Sequence, residues 1–126
     1  MALQPNVVLE KTTPTYSFQL AEGATDLTLA QTSALTLTLY ETYTGSDNVI
    51  NSRSAQSILN TNNGTVSSAG VVAWVMQQGD TTLYTTTLTV EPRIALFEFT
   101  YDTGTGGTKY GKHEYAFKVQ NLKKVS

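Results

Sequence analysis

The chain has 126 residues and no cysteine, enough for one domain and with disulfide frameworks, thiolate metal sites and thiol catalysis excluded together. Charged residues are 14% of the chain, against roughly 25% in an average soluble domain, and the net charge of -2 with a pI near 5.2 lacks the electrostatic footprint of a nucleic-acid binder. Threonine takes 22 of the 126 positions, while 40% hydrophobic and 10% aromatic content argues against disorder.

In chain order, Met1–Glu10 (MALQPNVVLE) has neither the basic start nor the apolar run of a signal peptide. No stretch approaches the length of about 18 apolar residues that spans a bilayer. The expectation is a chain made in a cytosol with no membrane partner. Residues 1–14 read as an N-terminal arm, in which Val7, Val8 and Leu9 could add a strand to a neighbour's sheet edge. Residues 15–122 read as the folded domain and 123–126 as a tail.

Period-two hydrophobicity then dominates. Tyr16, Phe18 and Leu20 alternate with Ser17 and Gln19; Leu35, Leu37 and Leu39 alternate with Thr36 and Thr38. Phe97, Phe99 and Tyr101 alternate with Leu96, Glu98 and Thr100, and Tyr115, Phe117 and Val119 with Glu114, Ala116 and Lys118. Each segment has the apolar and polar faces of a half-solvated antiparallel strand, and outward threonines suit a pleated, wet surface. Turn signals separate the strands at Glu22–Ala24, Gly45–Asn48, Asn62–Gly64, Gln78–Asp80 and Asp102–Gly107. Ser54–Asn60 (SAQSILN) is the segment expected to form a short helical turn, capped by Ser54 and pinned to the core by Ile58 and Leu59. The fold class is therefore all-β: an immunoglobulin-like antiparallel sandwich of about seven strands.

Val71–Met76 (VVAWVM) is apolar on both faces. One side is expected to lie under a loop or the helical turn, or else against another chain. Trp74 and Met76, or their counterparts Val71, Ala73 and Val75, are the candidate interface residues.

Candidate chemistry is sparse. Gly106–Lys112 has the Gly-four-residues-Gly-Lys spacing of a phosphate loop, but His113 stands where the metal-binding hydroxyl belongs, and a strand pattern follows instead of a helix. His113, the only histidine, reads as a solvated residue at a strand start, since Glu114 must point to the opposite face. Asp26, Asp47, Asp80 and Asp102 fall in turns, where carboxylates accept backbone amides. Asp102 beside the glycine-rich loop lacks the carboxylate ladder of a calcium site. One histidine and no nucleophile elbow leave no Ser-His-Asp set. No catalytic residue, metal site or cofactor is assigned, and the chain reads as non-enzymatic. Tyr40, Tyr43, Tyr84 and Tyr110 lie outside the inward pattern. They support an alternative from another class, a carbohydrate-binding module.

The order of Asp26-Leu27-Thr28, the Leu35–Tyr40 strand, Gly79-Asp80-Thr81 and the closing pair Ile94–Tyr101 and Lys112–Val119 resembles the immunoglobulin-like domains of tailed-bacteriophage virion proteins. Among these it is similar to the N-terminal domain of baseplate upper proteins, over roughly residues 15 to 122. It differs in an inserted stretch, Asn51–Ser67, and in lacking those proteins' long helical extension. The resemblance implies a structural role in a virion, as capsid decoration, head–tail connector or tail accessory. The implied partners are other virion proteins and copies of the chain itself.

Overall fold

The computed structural model describes residues 7–121. Its strands are β1 (Val7–Leu9), β2 (Thr15–Gln19), β3 (Ala21–Glu22), β4 (Thr25–Asp26), β5 (Thr32–Glu41), β6 (Gln56–Ser57), β7 (Gly64–Val66), β8 (Val71–Val75), β9 (Val90–Tyr101) and β10 (Lys109–Gln120). Among the described residues, seven of these are three residues or longer. A five-stranded sheet has the order β1-β10-β9-β5-β6, a three-stranded sheet the order β2-β8-β7, and β3 pairs with β4 as a small ribbon. All pairings are antiparallel except β1 with β10. The protein is an all-β, sandwich-like fold.

The alternation of side chains decides what lies between the layers. Leu35, Leu37, Leu39, Phe97, Phe99, Phe117 and Val119 of the larger sheet meet Val66, Val72, Trp74 and Met76 of the smaller side, all buried. Trp74 is fully buried and packs edge-on against Phe97 and Phe117, at centroid distances of 5.9 and 6.5 Å. Gly111 holds an inward position of β10 because the Phe99 ring occupies the space a Cβ would need.

No helical turn forms at Ser54–Asn60. Asn51, Ser52 and Ala55 adopt positive φ, Gln56–Ser57 pairs with β5, and the Ile58 amide donates to the Leu35 carbonyl at 3.0 Å. The physical reason is that this segment supplies hydrogen bonds along the β5 edge, which a helical turn could not do. Ile58 still anchors the segment, fully buried. Among the described residues the short helical turns are 3-10 and lie at Leu29–Gln31 and Gln78–Asp80.

Beneath the sandwich, charge is buried in pairs. Arg53 donates to Asp80 through Nε at 2.5 Å and Nη2 at 3.0 Å, and Arg53 also reaches Gln56, the Asn62 carbonyl and Asn63. Arg93 donates to Glu91 and to the carbonyls of Asp80 and Thr82. Glu91 and Arg93 share the inward parity of Phe97, so their burial follows from their place on β9. Burial pushes the Arg93 guanidinium below its ordinary range, opposed by the hydrogen bonds and charge of Glu91.

Glu41 ends β5 and organises the next loop. Its carboxylate is buried, which works against the charge, yet it accepts from Thr44 N (2.9 Å), Thr44 Oγ1 (2.7 Å), Asn48 N (3.0 Å) and Asn48 Nδ2 (2.8 Å). These donors outweigh the burial and hold its pKa down to about 2. The clamp turns the chain back so that Val49 bridges to Tyr40.

Candidate interaction surface

The outward positions of β9 are Val90, Pro92, Ile94 and Leu96 before the strand turns polar at Glu98 and Thr100. The register of the sheet extends this apolar stripe sideways. One row across the strands reads Val49, Tyr40, Ile94, Ala116. The row on one side carries Thr38, Leu96 and Glu114; the row on the other carries Pro92, Lys118 and Val7. A further row holds Val90, Gln120 and Leu9. Val8 packs on the core, so its neighbours Val7 and Leu9 face outward with the stripe. Leu9 and Val49 are 43% and 42% exposed, and the four β9 side chains are half-buried by one another and by the flanking strands. Val7, Val90, Pro92 and Lys118 line a shallow concavity of about 390 Å³. Contiguous apolar patches on an outer face mark contact surfaces when they are large.

The Tyr40 phenol stands in this patch. Its pKa is raised, by burial first and then by the carboxylates of Glu114 and Asp47.

A smaller patch lies on the outer face of the other sheet. Of the residues singled out on the doubly apolar strand, Trp74 and Met76 point into the core, at 0% and 1% exposure. Val71 and Val75 point out, 39% and 38% exposed, with half-buried Ala73 between them. Among the described residues no loop or helical turn gives this face the expected cover: the segment expected to form the turn is spent along β5, on the opposite sheet. Thr15, Ser17, Gln19 and Thr65 neighbour the three residues and make this face more polar than the β9 stripe.

Val7, Val8 and Leu9 pair in parallel with Lys118, Val119 and Gln120 of their own chain, so this part of the arm is used in cis. Residues 2–6 of the arm, and the tail 123–126, lie outside the described residues.

His113 also departs from the sequence reading. It is half-buried, stacked on Phe18 (4.0 Å, 6°), and its Nε2 lies 2.6 Å from the Tyr16 hydroxyl. Tyr16 in turn stacks on Tyr115 (3.8 Å, 8°). The signal was available, because 113 shares the inward parity of 115 and 117; what the sequence did not show was β2 lying across it. Burial lowers the His113 pKa, and burial, with Tyr115 second, raises that of Tyr16. The two shifts diverge, so both groups are held in their neutral forms and proton transfer between them is opposed, while the imidazole tautomer sets which of the two donates.

A depressed histidine pKa has a defined consequence for stability. The unfolded chain takes up the proton first, so this contribution is complete above about pH 6.5 and is lost as the pH falls from there through the folded-state value. Between pH 7.5 and pH 5 the wild type is expected to lose more thermal stability than His113→Phe. Equal losses in the two proteins would show that the imidazole is not the group responsible.

The remaining candidate residues sit apart. Asp102 accepts the Gly104 amide at 2.8 Å, a turn carboxylate as expected, whereas Asp80 is fully buried beneath Arg53. Gly106–His113 forms a turn and the start of β10, not a loop entering a helix. Tyr43 and Tyr84 lie in loops, 55% and 52% exposed. Tyr110 shares the outer face with Tyr40, but their β9 partners, Thr100 and Ile94, are six residues apart, about 20 Å. Tyr40 and Tyr110 therefore share no stacking platform. The sequence matches no family model and no curated protein, and the structure matches no solved structure.

Proposed function

We propose that this chain is a non-enzymatic structural protein that works by holding other protein chains against the outer face of its larger sheet, as a component of a tailed-phage virion. The observation that supports the contact role is the apolar stripe Val90–Pro92–Ile94–Leu96, widened by Val49, Tyr40, Ala116, Val7 and Leu9. A central strand that is apolar on both faces is favourable when its second face is also covered, and no described segment of the chain covers this one. The virion setting comes from the sequence resemblance, and the partners it implies are other particle proteins and further copies of the chain. The weakly charged, cysteine-free composition suits such a packing role.

Mass spectrometry of density-purified particles from the source of this sequence tests the proposal. The chain is expected in stoichiometric amount, and Ile94→Glu is expected to remove it from particles by at least about tenfold while leaving the isolated domain folded. Absence of the wild-type chain from particles would overturn the virion role.

One observation favours a second reading, in which the surface takes a sugar. Tyr110 is 79% exposed beside a concavity of about 210 Å³ whose lining includes Thr36, Glu98, Thr100 and Lys112. A single ring offers one stacking partner among hydroxyls and charges. Saturable binding on a glycan array, abolished by Tyr110→Ala, would favour this reading over the first.

A further inference from the structure

We propose that the partner of the β9 face is a second copy of this chain, related to the first by a twofold axis lying in the contact plane along the row Tyr40, Ile94, Ala116. The inference rests on the contact reading above and adds to it the identity and orientation of the partner.

The outward residues of β10 carry the argument. Glu114, Ala116 and Lys118 follow one another on this face, so an acid and a base stand equally far from Ala116, about 7 Å on either side. A twofold axis across the strands at Ala116 reverses strand direction. It therefore sets Glu114 of each copy against Lys118 of the other, making two opposite-charge contacts from one surface. The same operation sets Pro92 against Leu96, and Ile94 against its own counterpart, at the centre of the apolar stripe. A twofold axis parallel to the strands along β10 would instead set Glu114 against Glu114 and Lys118 against Lys118, which like-charge repulsion disfavours, and one along β9 would set Glu114 against Thr38, with no opposite charge to meet. Of these three arrangements, the axis across the strands alone pairs both charges.

The area suits a weak, reversible pair. From Val90 to Glu98 the face runs about 27 Å, and β10, β9 and β5 span about 10 Å, widened by β1 only at the Val90 end and by β6 only at the Glu98 end. That is roughly 300 Å² of flat area before side-chain relief is counted, below the roughly 600 Å² per partner of standard interfaces and in the range of transient ones. Exposed ion pairs at the flanks also make the association weaken with added salt.

Sedimentation of the full chain tests this with four variants. The wild type is expected to show a reversible, concentration-dependent dimer, and Ala116→Arg, at an exposed position on the axis, to remain monomeric with an unchanged melting temperature. Glu114→Lys alone and Lys118→Glu alone are each expected to weaken dimerisation by about tenfold or more. An equimolar mixture of those two variants is expected to associate as strongly as wild type, because one then presents two bases and the other two acids. The doubly exchanged chain, Glu114→Lys with Lys118→Glu, is expected to dimerise again. A wild-type dimer indifferent to both single exchanges would overturn this geometry. A wild type that is monomeric at every concentration overturns self-pairing, and it does so without touching the virion role if Ile94→Glu still blocks incorporation into particles. A dimer with the predicted exchange behaviour, in a chain absent from particles, supports this proposal while removing the virion role.

Discussion

The Asp80→Ala chain is expected to be less stable than the wild type by about 3–5 kcal/mol, read as a lower urea midpoint at unchanged slope. Asp80 is fully buried and accepts Arg53 Nε and Nη2, Asn51 Nδ2 (3.0 Å) and the Gln77 amide (2.8 Å). Removing it leaves the Arg53 guanidinium, 2% exposed, without its countercharge. Through Gln56, Asn62 and Asn63, Arg53 ties the β5–β6 connection to the turn before β7, and Asp80 ties both to the 3-10 turn at Gln78–Asp80. One substitution therefore loosens three segments. The expected loss is a large part of the roughly 5–15 kcal/mol of a typical domain. Replacing both charges, as Arg53→Met with Asp80→Leu, should recover most of it, because a buried ion pair gains little over an apolar pair of similar volume. A loss below about 1 kcal/mol in Asp80→Ala would show that water reaches Arg53 freely.

Trp74 gives the second large effect and a contrast within one position. Trp74→Ala is expected to cost about 3–5 kcal/mol, since the ring fills the centre of the core between Phe97 and Phe117. Trp74→Phe is expected to cost no more than about 1 kcal/mol. Among the described residues the buried indole Nε1 has no hydrogen-bond partner, so losing it removes a desolvated donor and offsets part of the lost packing. The Arg53 guanidinium, 5.7 Å from the ring centroid, keeps an aromatic face beneath it in either case. Equal destabilisation by both substitutions would mean that the indole donor is satisfied in solution.

Two features of the fold were hidden because they depend on contacts far apart in the chain. The Arg53–Asp80 pair joins residues in two loops, and neither loop carries a periodic signal that would bring them together. His113 had the right parity for burial, but its Tyr16 partner comes from the far end of the chain, across the gap between the sheets. The contact face was partly legible. Ile94-Ala95-Leu96-Phe97 is as doubly apolar as Val71–Met76, but it runs directly into the strict alternation of Phe97, Phe99 and Tyr101, which carries the signal of one face only.

Alternation alone determined the all-β class, the inward residues of β2, β5, β9 and β10, and the main turns. Side-chain direction in a strand is a local property of the backbone, so it survives in the sequence. Tertiary structure decided which strands lie side by side, and therefore that Val49, Tyr40, Ile94 and Ala116 form one row and that the Ser54–Asn60 segment joins a sheet edge. It also decided that β1 completes its own sheet. These depend on strand register and on which backbone groups need partners, and both are settled only when distant segments meet.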